Sequence, residues 1–477
     1  MKGVQKKNQL RKNLSLPKHI HLVGAGGVHM SAIGQILIAK GHILSGSDLS
    51  RSDYTEKLVS LGAEIFLGHN PDNIGYAELL VITAAVKDDN PELIAAKKKS
   101  IPIMLRAEMV KLLTNEYELI AIAGSHGKTT TTGMTALMLE KGKLDPLVLL
   151  GGNSPDLGGN LKIGLGRYAL IEADEYAEAF LQYSAKIALI TNIEIDHLDY
   201  YKSEENLYQA FNQFAEQIIP NGLLIISIDS PLAFDLKNKY EFSGKAVETY
   251  SLIKNDATWS ARNLRANDIG GLSASINLEG RYLGEISLPI PGRHNMSNAV
   301  GALAVAMRAG VDFNSAASAI QNFSGITRHF EIVGELLILG KPITIIDDYA
   351  HHPTEVRATV FTAKQKYGKR RLVACFQPHT FSRSKYLLAQ WRNCFETIDK
   401  LFILSTYAAR ETPDAGIDAQ QLSSEISSPK PINLESLDHA AKQIAENLEP
   451  GDVFLTLGAG DVTNLGPAVM KLLESRK

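Results

Sequence analysis

The sequence predicts an α/β protein of three domains, each built around a mostly parallel sheet, and three observations carry that reading. At 477 residues the chain is too long for one ordinary core, since a domain takes roughly 100 to 200 residues. Short apolar runs that end in polar or Gly-rich turns alternate with helical patterns along nearly the whole length. Two of those turns, "GAGG" at 24–27 and "GSHGKT" at 124–129, fall where a strand meets a helix, and an open α/β sheet exposes its ligand crevice at such places.

Composition narrows the classes of function. Hydrophobic residues make up 45% and charged residues 21%, as in an ordinary globular protein, and a net charge of −3 gives no reason to expect nucleic acid. No run approaches the roughly 18 apolar residues that span a bilayer, and no apolar stretch follows the N-terminal charges, so no membrane partner is expected. The two cysteines, Cys375 and Cys394, are too few for a disulfide framework. They read as core and fit a reducing, cytoplasmic setting. Residues 1–18 carry Lys2, Lys6, Lys7, Arg11, Lys12 and Lys18 without one acid, and are expected to form a solvated, disordered extension.

The first domain, residues 19–116, opens with "HIHLVGAGGVHMSAIGQILIAKGHILSGSD". That is a strand, a Gly-rich turn, a helix from about Met30 to Lys40 and a second strand ending at Asp48, a βαβ pattern of Rossmann-like type. "LLVITAAV" reads as a buried strand, "NPELIAAKKKS" as a helix with Pro91 in its first turn, and "RAEMVKLLTNE" as the closing helix. The central domain, 117–325, starts with the strand of "IAIAGSHGKTTTTGM" and continues through "YALIEADE" and "AKIALITNIEIDHLDYY". Between about Tyr250 and Ser287 the short alternating runs predict antiparallel strands at a sheet edge, before "PGRHNMSNAVGALAVAMRAG" resumes a helix. In the third domain, 326–477, "KPITIIDDYAHHPTEV", "KRRLVACFQPH", "KLFILSTYA" and "VFLTLGAGDV" each lead from strand to turn to helix, a second Rossmann-like unit.

The loops carry the chemistry. Gly24, Gly26 and Gly27 precede a helix, so their amides suit a pyrophosphate. The G-x-G-x-x-G pattern fails at His29, which leaves a tight packing turn as the alternative. Asp48 ends the second strand, where such folds place a ribose contact. In the second loop Gly127, Lys128, Thr129 and Thr130 supply amides, a cation and a hydroxyl for Mg²⁺ together, in a loop shorter than G-x-x-x-x-G-K-[ST]. This predicts a nucleoside triphosphate site and a central domain of P-loop ATPase-like type. Glu172, Asp174 and His197 end strands of the same unit and are expected to converge on the metal near Thr129, with a core role as the alternative for His197. "DDYAHHPTEV" gathers Asp347, Asp348, Tyr349, His351 and His352 in one turn. Adjacent histidines point apart, so substrate binding is favoured over zinc. Arg383, in the loop after His379, suits a carboxylate, with a solvated helix start as the alternative.

Taken in order, "GAGGVHMSAIG", "GSHGKTTTT", "EADE", "TNIEIDHLDYY", "PGRHNMSNA", "GITRHFEIVGE", "DDYAHHPTEV" and "FQPHTFSR" resemble the Mur ligase family of peptidoglycan synthesis over nearly the whole chain. The resemblance implies that the first domain binds a UDP-sugar through Gly24, Ala25, Gly26, Gly27, Met30, Ser31 and Asp48. It implies ATP on Gly124, Ser125, His126, Gly127, Lys128, Thr129 and Thr130, with Asn295 at adenine, Arg328 at the phosphates and Asp348 at ribose. Thr129 and Glu172 are implied on one Mg²⁺ and His197 on a second, and Tyr349, His351 and Arg383 near the incoming amino acid. Lys128, His197, Arg328 and His351 are the implied catalytic set. The chain is similar to the alanine-adding branch, which implies UDP-N-acetylmuramate and L-alanine as partners, an acyl-phosphate intermediate, cytoplasmic location and a monomer or homodimer. Where the wider family carries a carbamylated lysine, Phe211 or Asn212 stands here. A ligase for murein tripeptide recycling is the alternative within the family, disfavoured by Arg383 and His351 as a small carboxylate pocket. An NAD-dependent dehydrogenase, disfavoured by the missing third glycine, and a non-enzymatic nucleotide switch are the alternatives outside it.

Overall fold

The computed structural model describes residues 16–409 and 411–475. The expected disordered extension therefore falls, apart from residues 16–18, outside the described residues. From there the chain is already anchored: Leu16 packs on the first core, and the Lys18 carbonyl accepts the Ile43 amide at 2.8 Å.

Three sheets follow one another. The first holds β1 (His19–Val23), β2 (Ile43–Asp48), β3 (Glu64–Leu67), β4 (Leu79–Ile82) and β5 (Ile103–Leu105), all parallel, in the order β3-β2-β1-β4-β5. The order reverses at β1, so a crevice opens beyond its C-terminal end. The Val28–Ala39 helix starts there and buries Met30, Ile33, Ile36 and Leu37, three and four residues apart, against the sheet. The Pro91–Lys98 helix begins as its sequence predicts, with Pro91 at its first position and the Asn90 side chain accepting the Glu92 and Leu93 amides.

The second sheet has ten strands: β6 (Glu118–Ala123), β7 (Leu147–Ser154), β8 (Gly159–Lys162), β9 (Tyr168–Glu172), β10 (Ile187–Ile190), β11 (Leu223–Ser227), β12 (Val247–Ser251), β13 (Trp259–Ala266), β14 (Leu272–Leu278) and β15 (Arg281–Leu288). Their order is β15-β14-β13-β12-β11-β10-β6-β9-β7-β8. The antiparallel ladder expected near residues 250–287 is β13-β14-β15 at one edge. Central β6 lies parallel between β9 and β10 and is buried from Leu119 to Ala123, because helices cover both faces. The Arg293–Arg308 helix approaches closely through Gly301, where a Cβ would stand 3.0 Å from Leu189 and 3.1 Å from Tyr250.

The third sheet comprises β16 (Glu331–Ile338), β17 (Lys341–Asp348), β18 (Leu372–Phe376), β19 (Lys400–Leu404), β20 (Ile432–Leu434) and β21 (Val453–Leu457), ordered β16-β17-β21-β18-β19-β20. Only β16 runs antiparallel, along an edge. Both cysteines are buried core residues, as expected.

Candidate active site

The central loop leaves β6 at Gly124, whose φ is +136° and whose Cβ would stand 1.9 Å from the Thr191 hydroxyl. Gly127, at φ +80°, would place a Cβ 2.5 Å from the Asn298 side chain, so no larger residue fits either position. Ser125 pins the loop by donating to the Glu194 carbonyl and accepting the Glu194 amide, both at 2.9 Å. The Lys128–Lys141 helix then begins at Gly127 with no side-chain cap, which leaves its first amides for an anion.

Lys128 Nζ donates to the Gly124 and Ser125 carbonyls at 2.6 and 3.1 Å and to Glu175 at 3.0 Å. Burial alone would lower its pKa, but Glu175, Asp174 and Glu172 outweigh burial and raise it. Burial pushes the Glu172 and Glu175 carboxyls up in turn, against the pull of Lys128. Glu172 accepts the Gly151 amide at 3.0 Å and bonds the Thr129 hydroxyl. His197 Nε2 lies 3.7 Å from Glu175 and 3.8 Å from Asp196. Sequence reading had grouped Glu172, Asp174 and His197. Asp174 pairs with Arg106 of the first domain at 3.0 Å while its charge still bears on Lys128 and His197, and Glu175, not singled out from "EADE", stands beside Lys128 and His197. Once β9 ends at Glu172 the strand alternation that fixes side-chain direction ends with it.

The third domain reaches into this loop. His126 Nδ1 lies 3.0 Å from Glu355 and its Nε2 3.4 Å from Glu194. Burial would depress the imidazole, yet Glu355 and Glu194 raise it to about 10. His126, Glu194 and His352 lie close enough to suggest a metal. His352, however, already bonds the Ile195 carbonyl at 3.1 Å and the Thr354 amide at 3.3 Å. The cluster is an ion pair with a neutral histidine alongside.

A cavity of about 340 Å³ lies between the second and third sheets, lined among others by His126, Thr130, Asn295, Asp348 and Tyr349. Its size and its mix of apolar walls and few polar groups suit a nucleoside. Asp348 accepts the Phe330 and Ala350 amides at 2.9 and 2.8 Å, and burial lifts its carboxyl to about 7. Tyr349, expected at the amino acid, lines this cavity and packs its ring 5.2 Å from that of His351. Arg328, expected at the nucleotide phosphates, is not among the lining residues. Its guanidinium bonds Asp347 at 3.2 Å and the Gly458 and Gly460 carbonyls at 2.8 and 3.2 Å, which turns it into the third domain.

Arg383, expected to hold an amino-acid carboxylate, is filled by a protein carboxylate. Its Nε and Nη2 donate to Asp196 at 3.0 and 2.9 Å, and Nη1 donates to His379 Nδ1 at 2.8 Å. The space beside Arg383, Asp196 and His197 is about 20 Å³, room for one water. Arginine only donates, so His379 carries its proton on Nε2. His351 Nδ1 faces the Tyr349 carbonyl at 3.0 Å, so there the free acceptor is Nε2. Burial holds both rings neutral, His351 at about 4 and His379 at about 2. The two centroids are 5.5 Å apart.

In the first loop the Gly24 and Ala25 amides both reach the Ser47 carbonyl at 2.9 Å, and the Gly26 amide donates to Asp48 at 2.8 Å. Asp48 thus braces the loop from behind. Ala25, Met30 and Ser31 are buried; Met30 borders the cleft between the first and second sheets, while the Ala25 and Ser31 amides bond the Ser47 and Gly27 carbonyls. That cleft, of about 270 Å³, is lined by Gly27, His29, Thr83, Arg106, Asp174 and Tyr176, among others.

Two loops at helix N-termini, a buried lysine among carboxylates and clefts on either side define an ATP-dependent ligase of three domains. Comparison with known proteins gives the same class. The sequence matches the Mur ligase family catalytic domain over residues 19–118, the Mur ligase middle domain over 122–306 and the Mur ligase glutamate ligase domain over 329–460. The chain belongs to the Mur ligase family. It is 42% identical over 447 residues to the UDP-N-acetylmuramate–L-alanine ligase of Alkaliphilus metalliredigens, covering 93% of this chain and 95% of that protein. It is 39% identical to that of Pelotomaculum thermopropionicum, covering 96% and 98%. The crystal structure of the UDP-N-acetylmuramate-alanine ligase of Thermotoga maritima superposes with a TM-score of 0.82 at 29% identity, covering 96% of this chain and 100% of that one.

Proposed function

We propose that this chain is an ATP-dependent ligase that joins L-alanine to the carboxylate of UDP-N-acetylmuramate, in the cytoplasmic stage of peptidoglycan synthesis. The observation that carries the mechanism is Lys128, held by loop carbonyls and Glu175 between the two clefts. A carboxylate repels an attacking amine and has a poor leaving group. The γ-phosphoryl group of ATP therefore goes first to the muramoyl carboxylate, giving an acyl phosphate and ADP. The amine of L-alanine then attacks the carbonyl carbon, and phosphate leaves with the amide formed.

The residues divide this work. The amides of the central loop and Lys128 take the triphosphate, and the lysine spreads the charge that develops during transfer. The oxygen donors of Thr129 and Glu172 fit Mg²⁺, which supplies charge neutralisation on the phosphates when bound. His197 and Glu175 form the neighbouring acid and imidazole pair. On the opposite side His351 offers an acceptor at Nε2 for the amine and His379 a donor at Nε2 for the carboxylate. These two tautomers together suit an amino acid. Arg383 then acts through others: it fixes His379 and clamps Asp196 of the central domain.

The test is phosphate release from ATP with UDP-N-acetylmuramate and each candidate amino acid. Release that requires L-alanine is expected. Release that requires the murein tripeptide instead would move the chain to the recycling reaction.

A further inference from the structure

His29 stands where a G-x-G-x-x-G turn would have its third glycine, and the mechanism leaves it without a role. It is the second residue of the Val28–Ala39 helix and lines the cleft between the first two sheets. Arg106, the first residue of the Arg106–Thr114 helix, lines the same cleft from the other side. Arg106 Nη1 is 2.7 Å from His29 Nδ1, and its Nη2 is 3.0 Å from Asp174. A guanidinium only donates, so His29 Nδ1 accepts and the ring proton sits on Nε2. That Nε2 is buried and has no partner among the described residues, a costly condition for a donor unless a ligand completes it. Burial and the adjacent Arg106 push the ring down to about 3, so it stays neutral. The N-termini of both helices border the cleft and turn their positive ends toward it, while Asp174, paired with Arg106, and Glu178 line it as well.

We propose that His29 and Arg106 form a dyad that receives the diphosphate of the nucleotide sugar, with His29 Nε2–H donating to a phosphate oxygen and Arg106 locking the tautomer. This rests on the reading of the first cleft as the nucleotide-sugar site. A phosphate oxygen is favoured over the muramoyl carboxylate because that carboxylate must reach the Lys128 loop to be phosphorylated. The residue that breaks the glycine pattern thereby replaces a packing glycine with a donor. Arg106 also ties the dyad to Asp174, so the first domain's ligand contact connects directly to the acids around Lys128.

The experiment is calorimetric titration of the full chain with UDP-N-acetylmuramate, UDP and ATP, for the wild type, His29→Leu, His29→Gln and Arg106→Met. In His29→Leu the Kd values for UDP-N-acetylmuramate and UDP should both rise roughly ten- to hundredfold, the worth of one hydrogen bond to a charged phosphate. The Kd for ATP should not move. His29→Gln, whose amide N–H reaches the place of Nε2–H, should bind close to wild type. If His29→Leu does not fold, Arg106→Met carries the same comparison. Unchanged affinity for both uridine nucleotides in His29→Leu overturns the dyad alone, and so does a loss seen with UDP-N-acetylmuramate but not UDP. Equal weakness of the Leu and Gln variants would reduce His29 to packing and overturn the proposal as well. A wild type that does not bind UDP-N-acetylmuramate overturns the nucleotide-sugar reading and the dyad with it.

Discussion

The two glycine loops are built alike and furnished differently. Each ends an interior parallel strand and opens a helix at a glycine with no side-chain cap. The first loop is braced within its own domain, by Ser47 and Asp48 of the neighbouring strand, and holds no cation. The second carries Lys128 and His126, and their partners come from three other segments: Glu175, Glu194 and, from the third domain, Glu355. A loop that only holds a substrate can be finished locally. A loop at which charge moves needs opposing charges, and by drawing one of them from another domain it makes its electrostatics depend on closure.

Removing the cation should break the comparison most severely. Lys128→Ala takes away the cation beside Glu175 and leaves His126, paired with Glu194 and Glu355, in the second loop, so the folded variant should lose turnover. Donors of this kind contribute about 2.7 to 4 kcal/mol, a loss of roughly two to three decades in kcat. Near-normal turnover in a folded variant would show that the central loop does not hold the transferring phosphate.

Arg383→Ala tests the charges imported from the third domain. It leaves Asp196 buried without its partner, a loss of about 2 to 5 kcal/mol when such a pair is broken across an interface. It also frees the His379 tautomer. The KM for L-alanine should rise tenfold or more, and replacing Asp196 by alanine as well should recover part of the loss. If KM for the nucleotide sugar rises and that for alanine does not, Arg383 serves the other substrate.

Gly26→Ala probes the locally finished loop. The added Cβ would stand 2.9 Å from the Asp48 carboxylate, so the brace must shift and its hydrogen bond to the Gly26 amide weaken. KM for UDP-N-acetylmuramate should rise about tenfold, the value of one hydrogen bond to a charged group, with KM for ATP unchanged. A parallel rise in the ATP value would mean that the loops are not independent.

What the sequence made legible follows the same division. Strands and loops could be read because apolar runs end in glycine, and Gly127-Lys128-Thr129 because its chemistry is local. Contacts between distant segments could not: His126 and Glu355 are 229 residues apart, Arg383 and Asp196 are 187, and His29 and Arg106 are 77. Arg383 was recognised as a carboxylate ligand, but not whose carboxylate it would meet. Edge strand β16 escaped notice for another reason. Much of it is exposed or half-buried, with only Leu336 buried, so it lacks the apolar run by which the interior strands announce themselves. Tyr349 and His351 lie two residues apart in one turn, and a turn gives no period from which to read that Tyr349 lines the nucleoside-sized cavity while His351 faces His379.

The smallest effect is one of pH, and it isolates the tie between the second loop and the third domain. His126 is raised from 6.5 to about 10 in the closed form. Opening removes Glu355 and leaves Glu194, so the imidazole falls back toward 6.5. A raised histidine contributes fully below its open-state pKa, and the contribution is lost as pH climbs through the closed-state value. Glu355 is held well below the usual carboxylate range, chiefly by His351 and His126 against the cost of burial. Its share has the opposite sign and disappears only as acid protonates it. His352, 4.6 Å away by ring centroid and held at about 4, stays neutral throughout the alkaline range. Closure should therefore weaken steadily between about pH 7 and pH 10. Small-angle scattering of the enzyme should show a radius of gyration that grows over that interval, a measurement that does not involve ionisation of the alanine amine. In His126→Gln the amide can still bond Glu355 but cannot titrate, so the alkaline slope should flatten while compactness at pH 7 falls slightly. Equal slopes in the two proteins would place the alkaline loosening elsewhere and leave His126 as a fixed strut rather than a titrating link.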